Sequence, residues 1–571
     1  MSRFKNMQTR NELADYLAVP RKKLTHILYV RRIENCYVTF TIPKRSGGTR
    51  DISAPDSELK SIQKKLAFLL QRYRYSIWDE KGISPNIAHA FEKKKGIITN
   101  ARIHRNKRYV VNIDLVDFFG TIHLGRIIGY FEKNEYFKMS HEVATVMAQL
   151  CCYKGKLPQG APTSPVISNM ICEILDFKLL QIAKKYHLDY TRYADDLTFS
   201  TNDKTFLEKY ESFYNSVSGA IRHAGFEVNE KKTRVLYRDS RQTVTGLVVN
   251  KKLSVDHRYY KDTRAMANQL YKTGEFQIHG ETGTLAQLEG RFAFINQLDK
   301  YDNENYQENM RNFRCLNGRE REYQKFLFYK YFYANSKPLI VTEGKTDILY
   351  LKAALMNQYA RYPELIEMQP DGTFNFKVRF LRRSKRLQYF LNIGMDGADT
   401  MQNIYAYYTG RWNKDRRVPY FKLFTEKCPS LPTHPVILVF DNELDDKNKP
   451  IHKFINPLAK DIPDIETQIR TSLTVPLMEN SNLHLVTHQL VDGKSVCEIE
   501  DLFDEPTRGV VIDGRKLSLK DKWDPKAEYG KDIFSKYVLG NYKSIDFSRF
   551  TTILDKINDV VVGKKVPVAP K

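Results

Sequence analysis

Three carboxylates in the first half of the chain have the types and spacing that phosphoryl transfer needs. Asp114 closes the apolar run Tyr109-Val110-Val111-Asn112-Ile113, which places it at a strand end. Asp195 and Asp196 lie between Tyr193-Ala194 and Leu197-Thr198-Phe199. Neighbouring strand residues point to opposite faces, so only a tight hairpin brings both toward one site. Clustered carboxylates suit a pair of Mg²⁺ ions, roughly 3.5–4 Å apart, that bridge the attacking and leaving oxygens of a nucleotide. A paired Asp-Asp alone is more often a solvated turn. A second acidic set lies far downstream, with Glu343 after Leu339–Thr342 and Asp441-Asn442-Glu443 after Val436–Phe440.

The elements that must hold these groups follow from patterning. Tyr37–Ile42 alternates as a strand and runs into the turn Ser46-Gly47-Gly48, and residues 57–73 predict an amphipathic helix. From about 109 to 250, short β-rich runs (Tyr109–Ile113, Leu188–Tyr193, Leu197–Ser200, Val244–Val249) alternate with helices, predicting an α+β sheet domain. Residues 255–335 read as helical and charged, ending in the aromatic stretch Phe326–Tyr333. A strand, helix, strand pattern restarts at Leu339, predicting a second α/β domain from about 337.

Composition narrows the class. The chain has 571 residues, enough for three or more units at about 100–200 residues each. Lys and Arg number 91 against 67 Asp and Glu, a formal charge of +24, which points to a polyanionic partner such as nucleic acid. Hydrophobic residues at 42% exclude a disordered or fibrous chain. No apolar run approaches the length of a membrane span, and the N-terminal residues lack a signal peptide's apolar stretch. The seven cysteines are scattered apart from Cys151-Cys152 and show no CxxC spacing, so a reducing cytoplasm is expected.

The motifs around Asp114 occur in the order used by reverse transcriptases, and the chain resembles that family. They are Ile42–Arg50 (IPKRSGGTR), Asp114, the loop Leu157–Pro165 (LPQGAPTSP), Tyr193–Asp196 (YADD) and Gly225–Thr233 (GFEVNEKKT). The resemblance implies a right-hand polymerase with Mg²⁺ as cofactor and dNTPs as substrates. Asp114 and Asp195 would carry the metals with Asp196 beside them. Lys44 and Arg50 would contact the incoming triphosphate. Phe119 would lie beneath the incoming sugar and exclude a ribose 2′-OH. The alternative is that Phe118 or Phe119 fills the core, and two adjacent aromatics allow one to do each. Gln159 and Gly160 would approach nucleotide and template closely, glycine because a side chain would obstruct that approach.

Two further motifs resemble the signatures of retron reverse transcriptases: Asn100-Ala101-Arg102-Ile103-His104 (NAxxH) and Val244-Thr245-Gly246 (VTG). That resemblance covers roughly residues 35–310. It implies reverse transcription of a structured noncoding RNA, primed from an RNA 2′-OH, into the branched RNA–DNA product msDNA. Asn100, His104, Arg105, Lys107, Arg108, Val244, Thr245 and Gly246 would contact RNA, through shape and phosphates where basic. A packed or hydrogen-bonded His104, and a merely solvated charge run, are the alternatives. Within the class, a group II intron-like mobile-element enzyme is the other reading, though no Cys/His endonuclease cluster is evident.

Gly344-Lys345-Thr346 ends like a phosphate-binding loop, but Leu339 stands where its first glycine belongs, and Gly493-Lys494-Ser495 fails likewise at His488. Glu343-Gly344 after a strand, with Asp441 and Glu443 after another, resembles a TOPRIM domain, with Gly394–Asp399 as the intervening glycine turn. Glu343, Asp347, Asp441 and Glu443 would then hold Mg²⁺, Asp445 could stand in for Glu443, and Glu498, Glu500 and Asp501 could serve a second ion. The expected organisation is a helical cap (1–35), fingers and palm (36–254), thumb (255–320), connector (321–336) and TOPRIM domain (337–571). The last would be a nuclease acting on nucleic acid in antiphage defence, or a silent nucleic-acid-binding module. A homo-oligomer formed with msDNA fits either.

Overall fold

The computed structural model describes residues 4–44, 47–83, 86–302, 313–394, 399–411, 417–429, 431–519 and 523–563. The chain divides into two compact units, Met1–His257 and Arg258–Lys571.

The first unit opens with short helices, then an antiparallel hairpin of β1 (Tyr37–Pro43) and β2 (Thr49–Pro55), in register from Tyr37↔Pro55 to Pro43↔Thr49. Helix α1 (Ser57–Glu80) follows, capped by Asp56, whose side chain accepts from the Glu58 and Leu59 amides. It runs beyond the expected 57–73. A short helix α2 (Ile97–Ile103) leads into β3 (Tyr109–Asp114). Helix α3 (Ser164–Lys185), with proline in its first turn, precedes the hairpin of β4 (Asp189–Tyr193) and β5 (Asp196–Thr201); β6 (Arg234–Tyr237) completes a sheet of order β4-β5-β3-β6. β3 and β5 pair antiparallel, with Val111 opposite Phe199, Ile113 opposite Leu197 and Asp114 opposite Asp196. The inward residues Val111, Ile113, Leu197 and Phe199 share one core with Ile171, Leu175 and Leu179 of α3.

The second unit contains helices α4 (Leu285–Asp302) and α5 (Gly318–Phe328). A five-stranded sheet follows, built from β7 (Leu339–Thr342), β8 (Arg379–Phe380), β9 (Val436–Phe440), β10 (Thr474–Pro476) and β11 (Leu483–Thr487) in the order β8-β7-β9-β11-β10. All but edge strand β10 run parallel. Helix α6 (Asp347–Asn357) follows β7, and α7 (Lys385–Leu391) follows β8. Both sheet faces are buried, as parallel sheets require. Leu339, Val341, Leu438 and Leu485 pack into one core, Ile340, Ile437, Val439 and Val486 into the other. Segment 258–333, expected as thumb and connector, shares the first of these cores through Leu270, Phe292, Phe326 and Phe332. The aromatic run that reads as a junction is therefore core. The central residues of the Gly394–Asp399 turn lie outside the described residues.

Candidate functional site

Asp114 ends β3, and the β4–β5 hairpin brings the other two carboxylates to it. Tyr193 pairs with Asp196, leaving Ala194 and Asp195 as a two-residue turn. Ala194 adopts φ 56°, a left-handed backbone that a non-glycine residue takes at some strain. Asp195 then lies in a cleft of about 1300 Å³ that is also lined by Asp114, Lys44, Arg50, Phe119 and Gln159. Asp196, one residue on, opens with Asp114 onto a second, smaller cleft. Burial pushes the Asp196 carboxyl up to about 7, with Asp195 and Asp114 adding to it. Burial raises Asp195 too, and the nearby Lys232 and Arg50 oppose this.

Lys232 and Asn229 belong to this site, and neither stands out as a functional residue in the sequence. Lys232 Nζ lies 3.0 Å from both oxygens of Asp114, and Asn229 donates its side-chain amide to Oδ1 at 3.0 Å. Both lie in the segment Gly225–Thr233, which is their only signal. Phe118 is buried and stacks on Phe226, Phe119 is half-buried, and both line the cleft.

Gly160 has a different physical reason from the one expected. It sits at φ +127°, and a Cβ there would lie 2.6 Å from the Ser53 carbonyl oxygen of β2. The Ser53 amide donates to the Gln159 carbonyl at 2.8 Å. The crowding partner is thus the β1–β2 hairpin, and the glycine lets the 157–165 loop dock there.

Behind the turn lies a buried polar network. Arg192, 0% exposed, donates to both Asp176 oxygens at 2.8 and 2.7 Å, to Asn169 Oδ1 at 3.1 Å and to the Ala194 carbonyl at 3.4 Å. Asn169 in turn donates to Glu92, which pairs with Arg74 at 2.5 Å. No local sequence signal links Arg192 to Asp176.

The expected RNA-binding set divides. His104 is 0% exposed, with Nδ1 2.7 Å from Ser200 Oγ and Nε2 2.7 Å from Thr191 Oγ1. It pins α2 against β4 and β5, and burial holds it far below the usual histidine range, at about 3. Asn100 and Val244 are also buried. Direct RNA contact by these three side chains is corrected to internal packing. Thr245 donates to the Ile97 carbonyl at 3.4 Å, so the VTG turn packs on the NAxxH helix. Thr245 and Gly246 line the smaller cleft with Asp114, Asp196 and Lys232. Lys107 pairs with Asp189 at 2.5 Å, Arg108 is half-buried, and Arg105 is exposed.

In the second unit Glu343 follows β7 and Asp441 follows the parallel neighbour β9, so both lie at one sheet edge. Ligand atoms of Glu343, Asp441 and Glu443 all lie within 4.8 Å of one another. Three carboxylates form an all-oxygen donor set of the kind that a hard divalent cation takes. Burial pushes Glu343 up to about 8, with Asp441 and Glu443 adding to it, and its Oε2 is buried without a partner. Lys449 pairs with Glu443 at 2.5 Å. Asp347 is not in this cluster. Its oxygens accept from the Gly344 amide at 2.7 Å and lie 3.3 Å from Thr346 Oγ1, so it holds the turn after β7. Asp445 pairs with Arg470 at 2.6 Å, away from the triad. Glu498 and Glu500 are bridged by Lys531, and Asp501 by Lys494 and Arg508. Burial still pushes Glu500 up to about 8, with Asp441 and Asp347 adding to it against Lys531, and its Oε1 is buried without a partner.

A family model described as reverse transcriptase (RNA-dependent DNA polymerase) matches residues 42–263, the span that holds the first site. The chain is 34% identical over 312 residues to the retron Mx65 reverse transcriptase of Myxococcus xanthus, covering 51% of this chain and 69% of that protein. It is 33% identical over 266 residues to the retron Ec86 reverse transcriptase of Escherichia coli, covering 46% and 77%. The chain belongs to the retron reverse transcriptase family. Among solved structures, a Candida albicans telomerase in complex with a telomeric RNA fragment matches at a TM-score of 0.31 and 14% identity, over 51% of this chain and 58% of that one. No helix among the described residues is long and apolar enough to cross a membrane.

Proposed function

We propose that the chain reverse transcribes a structured noncoding RNA, primed from an RNA 2′-OH, into msDNA, and carries a metal-dependent TOPRIM nuclease in its second unit. The observation that carries the first part is the shared cleft of Lys44, Arg50, Phe119, Gln159, Asp114 and Asp195. In it Lys44 and Arg50 neutralise the triphosphate, and Phe119 sets the floor beneath the sugar. The primer oxygen bonds to the α-phosphorus as the bond to pyrophosphate breaks. Asp114 and Asp195 would hold Mg²⁺, which would supply charge neutralisation for the transfer. Lys232 would leave Asp114 when the ion binds.

The nuclease reading rests on the Glu343, Asp441 and Glu443 triad at one parallel sheet edge. A nuclease joined to a polymerase needs restraint, and msDNA retained by the same chain is a polyanion suited to it. Loss of msDNA under phage attack would then free the nuclease and halt growth, because only a ligand that binds the restrained state better can shift the balance. The test measures msDNA, metal-dependent nucleic-acid cleavage and phage plating in two full-length variants. Asp195→Asn with Asp196→Asn should abolish DNA synthesis. Glu343→Ala should keep msDNA while losing cleavage and protection. Full protection with Glu343→Ala would make the second unit a binding module.

A further inference from the structure

The segment leading into α2 inverts the usual placement of side chains. Ala88, His89 and Ala90 are buried and so is the carboxylate Glu92, whereas Phe91 between them is 45% exposed. Glutamate is among the residues least often buried and phenylalanine among the most, so the exchange at 91 and 92 calls for a reason. The backbone adds a second sign. Phe91 adopts φ 62°, a left-handed conformation in which a bulky side chain is an outlier.

Its neighbours hold it there. The His89 amide donates to the Arg192 carbonyl at 2.8 Å, and Asn169 of α3 donates to the Ala90 carbonyl at 3.0 Å. Glu92 accepts from Arg74 of α1 at 2.5 Å, from Tyr75 at 3.1 Å and from Asn169 at 2.8 Å. Gln71 donates to the Phe91 carbonyl itself at 3.3 Å, and the Lys93 amide donates to the Tyr75 hydroxyl at 3.1 Å. The chain from 89 to 93 is thus fixed on both sides of Phe91, and the strain falls on the one residue whose ring is turned outward. Strain of this kind persists only where the surroundings over-determine it, and it gathers at functional sites.

The ring lines the polymerase cleft, whose wall it shares with Phe119, Asp114, Asp195 and Gln159. Its centroid lies 6.3 Å from that of Phe119, with the planes at 49°. That is within the roughly 4.5–7 Å over which aromatic rings attract one another. Phe119 also meets Phe118 edge to face at 5.1 Å, and Phe118 is buried and fixed by its stack on Phe226. Phe119 is therefore held by one buried ring and one exposed ring. We propose that Phe91 is a positioning residue for sugar selection. It keeps the Phe119 ring from swinging into the open cleft, so that the ring stays against C2′ of the incoming nucleotide. This rests on the reading of Phe119 as the floor beneath the sugar. Without Phe91 the floor gives way, and a ribose 2′-OH is accommodated.

The test measures, for the full chain on an added primer–template, the ratio of kcat/KM for a dNTP to that for the matching rNTP, alongside thermal unfolding. Phe91→Ala and Phe91→Gly should each lower the ratio about fivefold, the scale of one aromatic pair. Glycine releases the left-handed backbone and alanine does not, so Phe91→Gly should unfold at the higher temperature of the two. Equal loss of discrimination in two variants of unequal stability is what a general stability role does not give. Phe91→Tyr should keep the wild-type ratio. In Phe119→Val, which lowers the ratio by itself, adding Phe91→Ala should lower it no further, because the ring to be held is gone. Unchanged discrimination in both Phe91 variants, loss confined to the less stable one, or an additive loss in the double variant would overturn the proposal and leave the Phe119 floor standing. An unchanged ratio in Phe119→Val would overturn the floor reading and this proposal with it.

Discussion

His104 gives the sharpest test of the internal reading of the NAxxH helix. Its ring is fully buried between Ser200 and Thr191, and burial holds its pKa at about 3, against an unfolded value of about 6.5. The unfolded chain therefore takes up a proton on acidification that the folded chain refuses, and stability falls as pH drops below the unfolded pKa. Between pH 7.5 and 5.5 the loss from this one group is about 1.4 kcal/mol, or about tenfold in the opening equilibrium. His89, held at about 4 chiefly by burial, adds a similar loss over the same window. His104→Gln keeps a donor and an acceptor near Ser200 and Thr191 but cannot titrate. Hydrogen exchange of the full chain, followed on peptides covering 97–113 and 189–201 and corrected for intrinsic rates, reads this local opening. Wild type should lose about a hundredfold in protection between the two pH values, and His104→Gln about tenfold. An identical pH dependence in the two proteins would refute the argument. So would a variant with wild-type protection at both pH values that has lost RNA binding, because that is the signature of a direct contact.

Phe119→Val should raise ribonucleotide incorporation relative to deoxyribonucleotide, measured by competing rNTP and dNTP on one template; unchanged discrimination would move the gate elsewhere. Gly160→Ala should destabilise the first unit by about 1–3 kcal/mol and raise KM for dNTP, since its Cβ would meet the Ser53 carbonyl and displace Gln159. Arg192→Lys keeps the charge opposite Asp176 but loses the two-pronged contact and the reach to the Ala194 carbonyl. It should lower kcat for nucleotide addition more than it raises KM, because it loosens the turn that carries Asp195 and leaves the Lys44–Arg50 side intact. Equal loss in a binding-only assay would make Arg192 a general stability residue.

Much of the polymerase site was legible because its residues sit in contiguous motifs, and spacing within a motif survives folding. Asp114, Asp195, Lys44, Arg50, Phe119 and Gln159 reach one cleft from four segments, each marked by its own pattern. What sequence could not supply was burial. A histidine and an asparagine at helical spacing look the same whether they face RNA or the core, and only the neighbouring Thr191 and Ser200 decide it. Asp347 meets the same limit. An acid at a helix start can hold a metal or close a turn; Asp347 accepts from the Gly344 amide, and its charge also acts on Glu343 and Asp441. The aromatic run Phe326–Tyr333 read as a junction because a strand, helix, strand pattern restarts just after it, although its aromatic content argues against a loose linker. Its partners, such as Tyr408 and Phe424, lie far along the chain.

The two carboxylate sites also show why their legibility differs in kind. In the second unit parallel pairing does the gathering: β7 and β9 run the same way, so residues that follow each strand reach the same edge without further help. Strand ends found in the sequence thus suffice to bring Glu343 and Asp441 together. In the first unit β3, β5 and β4 alternate in direction, so the register sets Asp196 opposite Asp114, and it is Asp195 that must be carried round to the same site. There the gathering depends on a two-residue turn in which Ala194 accepts a left-handed backbone and Arg192 holds its carbonyl from behind. The antiparallel site is therefore the one that turn strain and a buried arginine must maintain. Substitutions remote from the cleft, at Asp176 or Asn169, should reach it through that arginine.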